Sequence, residues 1–296
     1  MTGDLAGQDP RRTGATRLVQ GLAALWIVAL YFIRNPYRGV RHDAVLYFGQ
    51  AQSHLTGLLH GDLFFLSSVQ DNYSVFSPIF APVLQALGLS AAEIVVLLVL
   101  HGLFLFATWQ LTAELPSHAR WCALGLAMAL PHFYSSQHRF AFMEPFLTAR
   151  SMAEPFAVLA LAWLLRGWRA PALIAAVLAA ASHPLIALPA WLVGWRILCV
   201  QDRRWNWAAL LVLPLAVLAW LGVAPFGGLA QVYDADWLAT VKQANSFVFL
   251  STWLISDWQQ VAFDAGLLWL CARAPAGPLS RLAQASLVVM IGGLVA

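Results

Sequence analysis

Arg41, His42 and Asp43 stand together just past the first long apolar run of the chain, and Tyr47 follows one helical turn later. A carboxylate at the mouth of an apolar bundle has its proton affinity raised by desolvation, which suits it to take a proton from an attacking hydroxyl. A second polar segment, His138-Arg139-Phe-Ala-Phe-Met-Glu144-Pro-Phe-Leu-Thr-Ala-Arg150, brings two cations, and Lys242 adds a third further on. Cationic donors of this kind hold phosphate or other anionic leaving groups. Plainer readings stand beside these. Asp43 is also a good N-cap for a helix that starts there. Arg139 and Arg150 also serve as interface anchors, or as partners for Glu144 or Glu154.

Four histidines, His42, His54, His138 and His183, fall on the same side as Asp43 or near it. Two of them with Asp43 could hold a divalent metal, although no HxxxH spacing marks such a site. His183 precedes Pro184 and reads equally as a hairpin tip that hydrogen-bonds a freed carbonyl. Asp62 and Asp71 are candidate secondary site residues, and turn chemistry explains both. Ser90-Ala-Ala-Glu93 and Ser151-Met-Ala-Glu154 match the Ser-x-x-Glu capping box. That makes Glu93 a cap. Glu154 is a cap or, close to other polar groups, a substrate contact. Asp257 and Asp264 sit in or beside the apolar stretch from Phe247 to Leu270, where a carboxylate is costly unless wet or paired. Asp257 could line the same outer cavity. No P-loop, glycine-rich dinucleotide fingerprint, cysteine cluster or Gly-x-Ser-x-Gly elbow is present, which argues against ATP-driven machines and hydrolases of that type.

The elements that must carry these groups are membrane helices. The sequence is 60% hydrophobic and only 10% charged, against about 25% charged in a soluble domain. Fourteen Trp and seventeen Phe suit anchoring at two interfaces. The net charge of +3 is too small for a nucleic-acid footprint. Apolar runs at Leu18–Ile33, Ala91–Ala113, Ala119–Tyr134, Met152–Leu165, Pro171–Ser182, Leu185–Val200, Trp207–Ala224, Val261–Ala272 and Leu279–Ala296 predict eight or nine embedded segments. With residues 1–16 as a cytoplasmic tail, eleven basic residues fall inside and six outside, in accord with the positive-inside rule. This places residues 34–89 and 225–250 in extracytoplasmic loops of one transmembrane domain, 1–296. Cys122, Cys199 and Cys271 lack metal-ligand spacing, and no disulfide is expected.

Within the first loop, Ala44, Phe48, Ala51, Leu55 and Leu59 form one helical stripe, with Asp43, Tyr47, Gln50 and His54 beside it. The pattern predicts an interfacial helix from Asp43 to His60, stopped by Gly61-Asp62. Ser77-Pro78 starts a second short helix to Leu87. Only twenty-six residues separate Arg169 from Arg196, too few for two full crossings of about twenty residues each. A short hairpin with Ser182-His183-Pro184 at its tip is preferred over one long span.

This order of elements, with Arg41-His42-Asp43, Tyr47 and the run Gly61-Asp62-Leu63-Phe64-Phe65, resembles the GT-C-type membrane glycosyltransferases over about residues 15–225. The resemblance implies an all-α, polytopic transmembrane bundle with a large first extracytoplasmic loop carrying two juxtamembrane helices. It implies a bacterial inner-membrane location, a cytoplasmic N-terminus and an active site facing the periplasm or exterior. The implied activity is inverting transfer of a sugar from a polyprenyl-phosphate donor to a glycan, lipid or protein acceptor. Asp43 is then the catalytic base, and His42, Tyr47, Asp62, His138, Arg139, Arg150, Glu154 and His183 contact substrate. Some members use a divalent metal; the bilayer and the lipid-linked donor are the implied partners.

Two other classes stay open. A transporter or flippase for a lipid-linked or amphiphilic substrate would rely on Asp264, His101 and His183 instead. A non-catalytic scaffold in cell-envelope polysaccharide assembly would need none of these groups. The last apolar run stops flush at Ala296, which reads either as a truncated product or as a final helix.

Overall fold

The structure is a computed structural model that describes residues 10–58, 61–63, 65, 70–130, 133–223 and 226–295, with backbone alone at 10–15 and 70. Leu59, His60, Phe64 and His132, and the Arg11 and Arg12 side chains, lie outside the described residues. The chain is all-α: twelve helices are described, and the described strands are one pair of two-residue segments. Four helices are long and apolar enough to cross a membrane, and they mark the chain as a membrane protein. They are α1, of which Thr16–Arg34 is the apolar part, α4 (Leu89–Leu111), α8 (Pro184–Gln201) and α12 (Pro278–Val295). Between and after them come α2 (Ala44–Thr56), α3 (Phe76–Leu87), α5 (Ser117–Ala129), α6 (Ala149–Leu165), α7 (Arg169–Ser182), α9 (Val212–Trp220), α10 (Ala235–Ala244) and α11 (Ile255–Ala272).

The first loop holds two helices, as the residue pattern predicts, but their limits and faces differ. α2 ends at Thr56 because Gly57 takes a left-handed φ of 68° and its amide returns to the Ser53 carbonyl, four residues before the expected stop. Ala44, Phe48 and Ala51 are buried, as the apolar stripe requires, yet Tyr47 and Gln50 of the polar stripe are buried too. α2 packs on α3, with Phe48 against Phe80 (4.9 Å) and Tyr47 edge-on to Phe76 (5.2 Å). Two stripes of α2 thus face protein. Gln50 keeps its polar head satisfied by accepting from Ser77 Oγ at 3.4 Å.

α3 starts at Phe76, two residues earlier than Pro78 suggests. Ser74 Oγ accepts from the Phe76 amide and donates to the Ser182 carbonyl at 2.6 Å, while the Val75 amide donates to the Ala181 carbonyl at 2.8 Å. The second loop helix is therefore moored to the tip of the α7–α8 hairpin. That hairpin is real: His183 is extended (φ −157°, ψ 100°), the conformation that a following proline imposes, and α8 begins at Pro184. Trp191 Nε1 reaches the Ala176 carbonyl across the hairpin at 3.0 Å.

Two predicted runs are shorter or interrupted, and a third is longer. The run at 119–134 holds the helix α5, whose 13 residues end at Ala129. The run at 207–224 is split into a 3-10 segment at Arg203–Leu211 and the nine-residue α9. Pro214 lies in the first turn of α9, where its missing amide leaves no helical bond unmade and cannot extend the α-helix backwards. The run at 152–165 belongs to α6, which begins three residues earlier and packs against α4, α7 and α8.

Both predicted capping boxes fail, for one reason. Glu93 and Glu154 are fully buried and serve as acceptors for distant groups. Tyr37 donates to Glu93. α4 starts at Leu89 after Gly88 with no side-chain cap, while the box at α6 is made by Thr148 and Ser151, whose side chains and amides pair reciprocally. A buried carboxylate satisfied by a long-range donor outcompetes a local cap.

Candidate active site

The segment between α5 and α6 folds back on itself. Phe133–Tyr134 pairs antiparallel with Phe140–Ala141, and a tight 3-10 turn at Ser136–His138 joins them. Glu154, one turn into α6, fixes the return: its Oε2 accepts from the Met143 amide at 2.6 Å and its Oε1 from Tyr134 Oη at 3.1 Å. This sets Glu144 beside Arg150. Residues 150 and 154 share a face of α6, so one helix supplies both the cation and the acceptor that folds the loop onto it.

Arg150 is the hub. Its Nη2 donates to both oxygens of Glu144, at 3.1 and 2.9 Å, and its Nη1 donates to Asp43 Oδ2 at 2.6 Å. Phe140 lies 4.5 Å beneath the guanidinium carbon. Arg150 and Glu144 are buried, whereas the Asp43 side chain is 42% exposed. Burial alone would loosen the proton on Arg150, but the Glu144 carboxylate and the Asp43 bond outweigh it and hold the guanidinium charged. Tyr47, next to this triad, has its hydroxyl pushed up to about 12 by burial, against the pull of Arg150, so it stays neutral. Asp43 occupies the N-cap position of α2 yet caps nothing with its side chain. Its carboxylate is committed to Arg150 through one oxygen.

The triad opens on a cavity of about 850 Å³. Asp43, Glu144 and Arg150 line it together with His42, His138, Arg139, Arg38 and Arg41, and Gln137, Phe140 and Phe247 complete the wall. Among the described residues the ion pairs of Arg150 account for its charge, while Arg38, Arg41 and Arg139 make no ion pair. The walls carry backbone strain. Five described non-glycine residues have positive φ: His42, Ser135, Gln137, His138 and Met143. Three of them line this cavity and the other two flank it. Each such residue costs on the order of 1–3 kcal/mol, and strain of this sort gathers where a chain is held for function.

A second, more apolar cavity of about 690 Å³ lies beyond Tyr47, between the start of α3 and the hairpin tip. His183 lines it with Tyr47, Tyr73, Val75, Leu185, Phe226 and Leu229. His183 Nδ1 accepts from the Ile186 amide at 3.4 Å, so it caps α8.

Comparisons with known protein families, with curated proteins and with solved structures find no match to this chain. The site therefore stands on its own geometry.

Of the expected site residues, Asp43, His42, His138, Arg139 and Arg150 share one cavity, and Tyr47 and His183 share its neighbour. Glu154 is corrected from substrate contact to buried acceptor. Asp62 is exposed and lines neither cavity. Asp71 is taken by His54 Nε2 at 2.7 Å, away from Asp43. Lys242 lies in the last turn of α10 with its ammonium 5.6 Å from the Phe249 ring and does not line the cavity. Asp264, exposed on α11, accepts from Gln260 at 2.9 Å. His101 is closed off by Tyr31 within the bundle. Among the described residues no group of three or more His, Cys, Asp or Glu side chains is gathered to hold a metal ion.

Sequence reasoning missed Arg38, Arg41 and Glu144 as cavity residues. A signal for the arginines was present. Arg34, Arg38 and Arg41 recur within eight residues at the end of the first apolar helix, a cluster of cations next to Asp43. Glu144 was named from the sequence only as an ion-pair partner for Arg139 or Arg150, and the pair with Arg150 is the one that forms.

Proposed function

We propose that this chain is a GT-C-like membrane glycosyltransferase that moves a sugar from a polyprenyl-phosphate donor to an acceptor hydroxyl. The supporting observation is the shared cavity: a half-exposed carboxylate, Asp43, faces the same polar space as three arginines that make no ion pair among the described residues. In this reading the N-terminus is cytoplasmic, and the cavity opens at the periplasmic face of a bacterial inner membrane. Residues 34–89 form the first external loop.

The chemistry follows from charge. With both carboxylates ionised, the Arg150 triad carries one net negative charge. When Asp43 accepts the proton of the attacking hydroxyl, the triad becomes neutral, and Glu144 still neutralises the buried guanidinium. Glu144 thereby lets Asp43 act as base without leaving Arg150 uncompensated. As the bond to the anomeric carbon breaks, charge grows on the departing phosphate, where Arg38, Arg41 and Arg139 stabilise it. Arg150, already shared by two carboxylates, orients Asp43 rather than holding phosphate. Tyr47 stays a neutral hydroxyl between this polar cavity and the apolar one, which suits the first isoprene units of the donor.

The test is turnover. The purified chain in nanodiscs, given polyprenyl-phosphate hexoses and a mixture of hydroxyl acceptors, should release polyprenyl phosphate. No release with any donor, in a folded sample that binds polyprenyl phosphate, would remove the catalytic reading and leave a binding protein.

A further inference from the structure

Asp257 lies in the first turn of α11, far along the chain from the cavity loop, yet its carboxylate binds that loop. Ser136 Oγ donates to its Oδ2 and the Gln137 amide to its Oδ1, both at 2.8 Å, across 121 and 120 residues of sequence. The Leu254 amide donates to Oδ2 at 2.8 Å as well. The residue is only 9% exposed. The turn it grips is the strained one, with Ser135, Gln137 and His138 all at positive φ. The next residue is Arg139, whose guanidinium carbon lies 5.7 Å from the Phe247 ring, and Phe247 packs edge-on against Phe140 at 5.4 Å. Asp257 itself is no lining residue of the cavity.

We propose that Asp257 is a positioning residue that sets the cationic wall of the cavity, holding the 135–138 turn in its strained form so that His138 and Arg139 face the space opposite Asp43. The inference rests on the transferase reading only for the identity of its ligand. The physical ground is that positive-φ conformations at non-glycine residues persist only where the surroundings over-determine them. One carboxylate that accepts from both a loop hydroxyl and a loop amide meets that need. Released from it, the turn relaxes to ordinary φ values and Arg139 swings away.

The experiment combines binding and exchange on the full chain in nanodiscs, with polyprenyl phosphate as the probe. Asp257→Ala should weaken binding about tenfold, the effect of losing one charge-assisted contact, with α6 unperturbed. Asp257→Ala combined with Arg139→Ala should bind no more weakly than Arg139→Ala alone, because both remove the same contact. Hydrogen exchange should rise over residues 133–141 and stay unchanged over α6. Should Asp257→Ala fail to fold, Ser136→Ala, which removes one of the two loop bonds, should show the same changes at smaller size. Additive losses, wild-type affinity, or unchanged exchange over 133–141 would each overturn the proposal. If the wild-type chain does not bind polyprenyl phosphate, the transferase reading falls. The exchange result then decides for Asp257 by itself: faster exchange over 133–141 supports it, and unchanged exchange overturns it.

Discussion

Arg150 Nη1 donates to Asp43 Oδ2 at 2.6 Å across 107 residues of sequence, and this bond joins the two halves of the site. Asp43 comes from the start of the first loop helix, Arg150 from the start of α6. Neither alone defines a place for chemistry. Together with Glu144 they give a carboxylate a fixed direction, a counter-ion that survives its protonation, and an outlook on a cavity rich in free cations.

Arg150 should be the most sensitive of these residues in stability. Arg150→Ala leaves Glu144 buried with no counter-charge, a loss of about 3–5 kcal/mol. Arg150→Lys should recover only part of it, because an ammonium cannot bond both Glu144 oxygens and Asp43 in one plane. Denaturant unfolding in detergent, followed by tryptophan fluorescence, reads both. Equal stability of the lysine variant and wild type would show that the forked geometry does not matter.

Asp43→Asn should separate folding from chemistry. The amide keeps the size and still offers an oxygen to Arg150, so the unfolding midpoint should stay near wild type. Release of polyprenyl phosphate should fall by about 10²–10⁴, the usual worth of a general base. Retained turnover would move the base elsewhere, with Glu144 too buried to take its place.

These outcomes bear on what the residue pattern could reveal. Asp43, Arg139 and the α7–α8 hairpin were legible, because a carboxylate next to a span, a cation in a loop and a His-Pro break are local signals. The burial of Tyr47 and Gln50 was not, since a polar stripe on a short helix looks the same whether water or α3 covers it. Glu93 and Glu154 were misleading: Ser-x-x-Glu spacing describes a local cap, and distant tyrosines and an amide claimed both carboxylates instead. Asp257 was legible only as an anomaly. Its two partners in the cavity loop lie some 120 residues away, and no periodicity in one sequence encodes such a distance.

The arginines that line the cavity should govern both affinity and rate, because the donor phosphate is already anionic when it binds and gains further charge as it leaves. Arg38→Ala, Arg41→Ala and Arg139→Ala should each raise the KM for a polyprenyl-phosphate sugar, by about tenfold or more where a charged hydrogen bond is lost. Each should also flatten the salt dependence of binding, because exposed cations are screened by added ions. Titrations at two salt concentrations check this. A variant with unchanged KM and unchanged salt response would take that arginine out of the site.

The His54–Asp71 pair should matter little by contrast. Both side chains are partly exposed, at 41% and 29%, and exposed pairs contribute about 0–1 kcal/mol. His54→Ala should leave unfolding and turnover near wild type. A large loss of turnover would bring this pair, and with it the first-loop turn at Gln70–Tyr73, into the working site.

Asp257 makes the case for a pH dependence with a definite sign. The Gln137 amide, then Ser136 and the Leu254 amide, bond the ionised carboxylate, and His138 adds a weaker favourable field, so its carboxyl sits below the ordinary value of 3.8 in the folded chain. A group with a depressed folded value stabilises the fold fully above its unfolded value. That contribution is lost as pH falls through the folded value. Protection of the Gln137 and Leu254 amides against hydrogen exchange, corrected for intrinsic rates, should therefore hold steady from neutral pH down to 3.8 and fall below it. In Asp257→Asn that acid step should vanish, because the amide does not titrate and keeps an oxygen for one of the donors. A step that begins well above 3.8, or one that persists in the asparagine variant, would place the titrating group elsewhere in the loop.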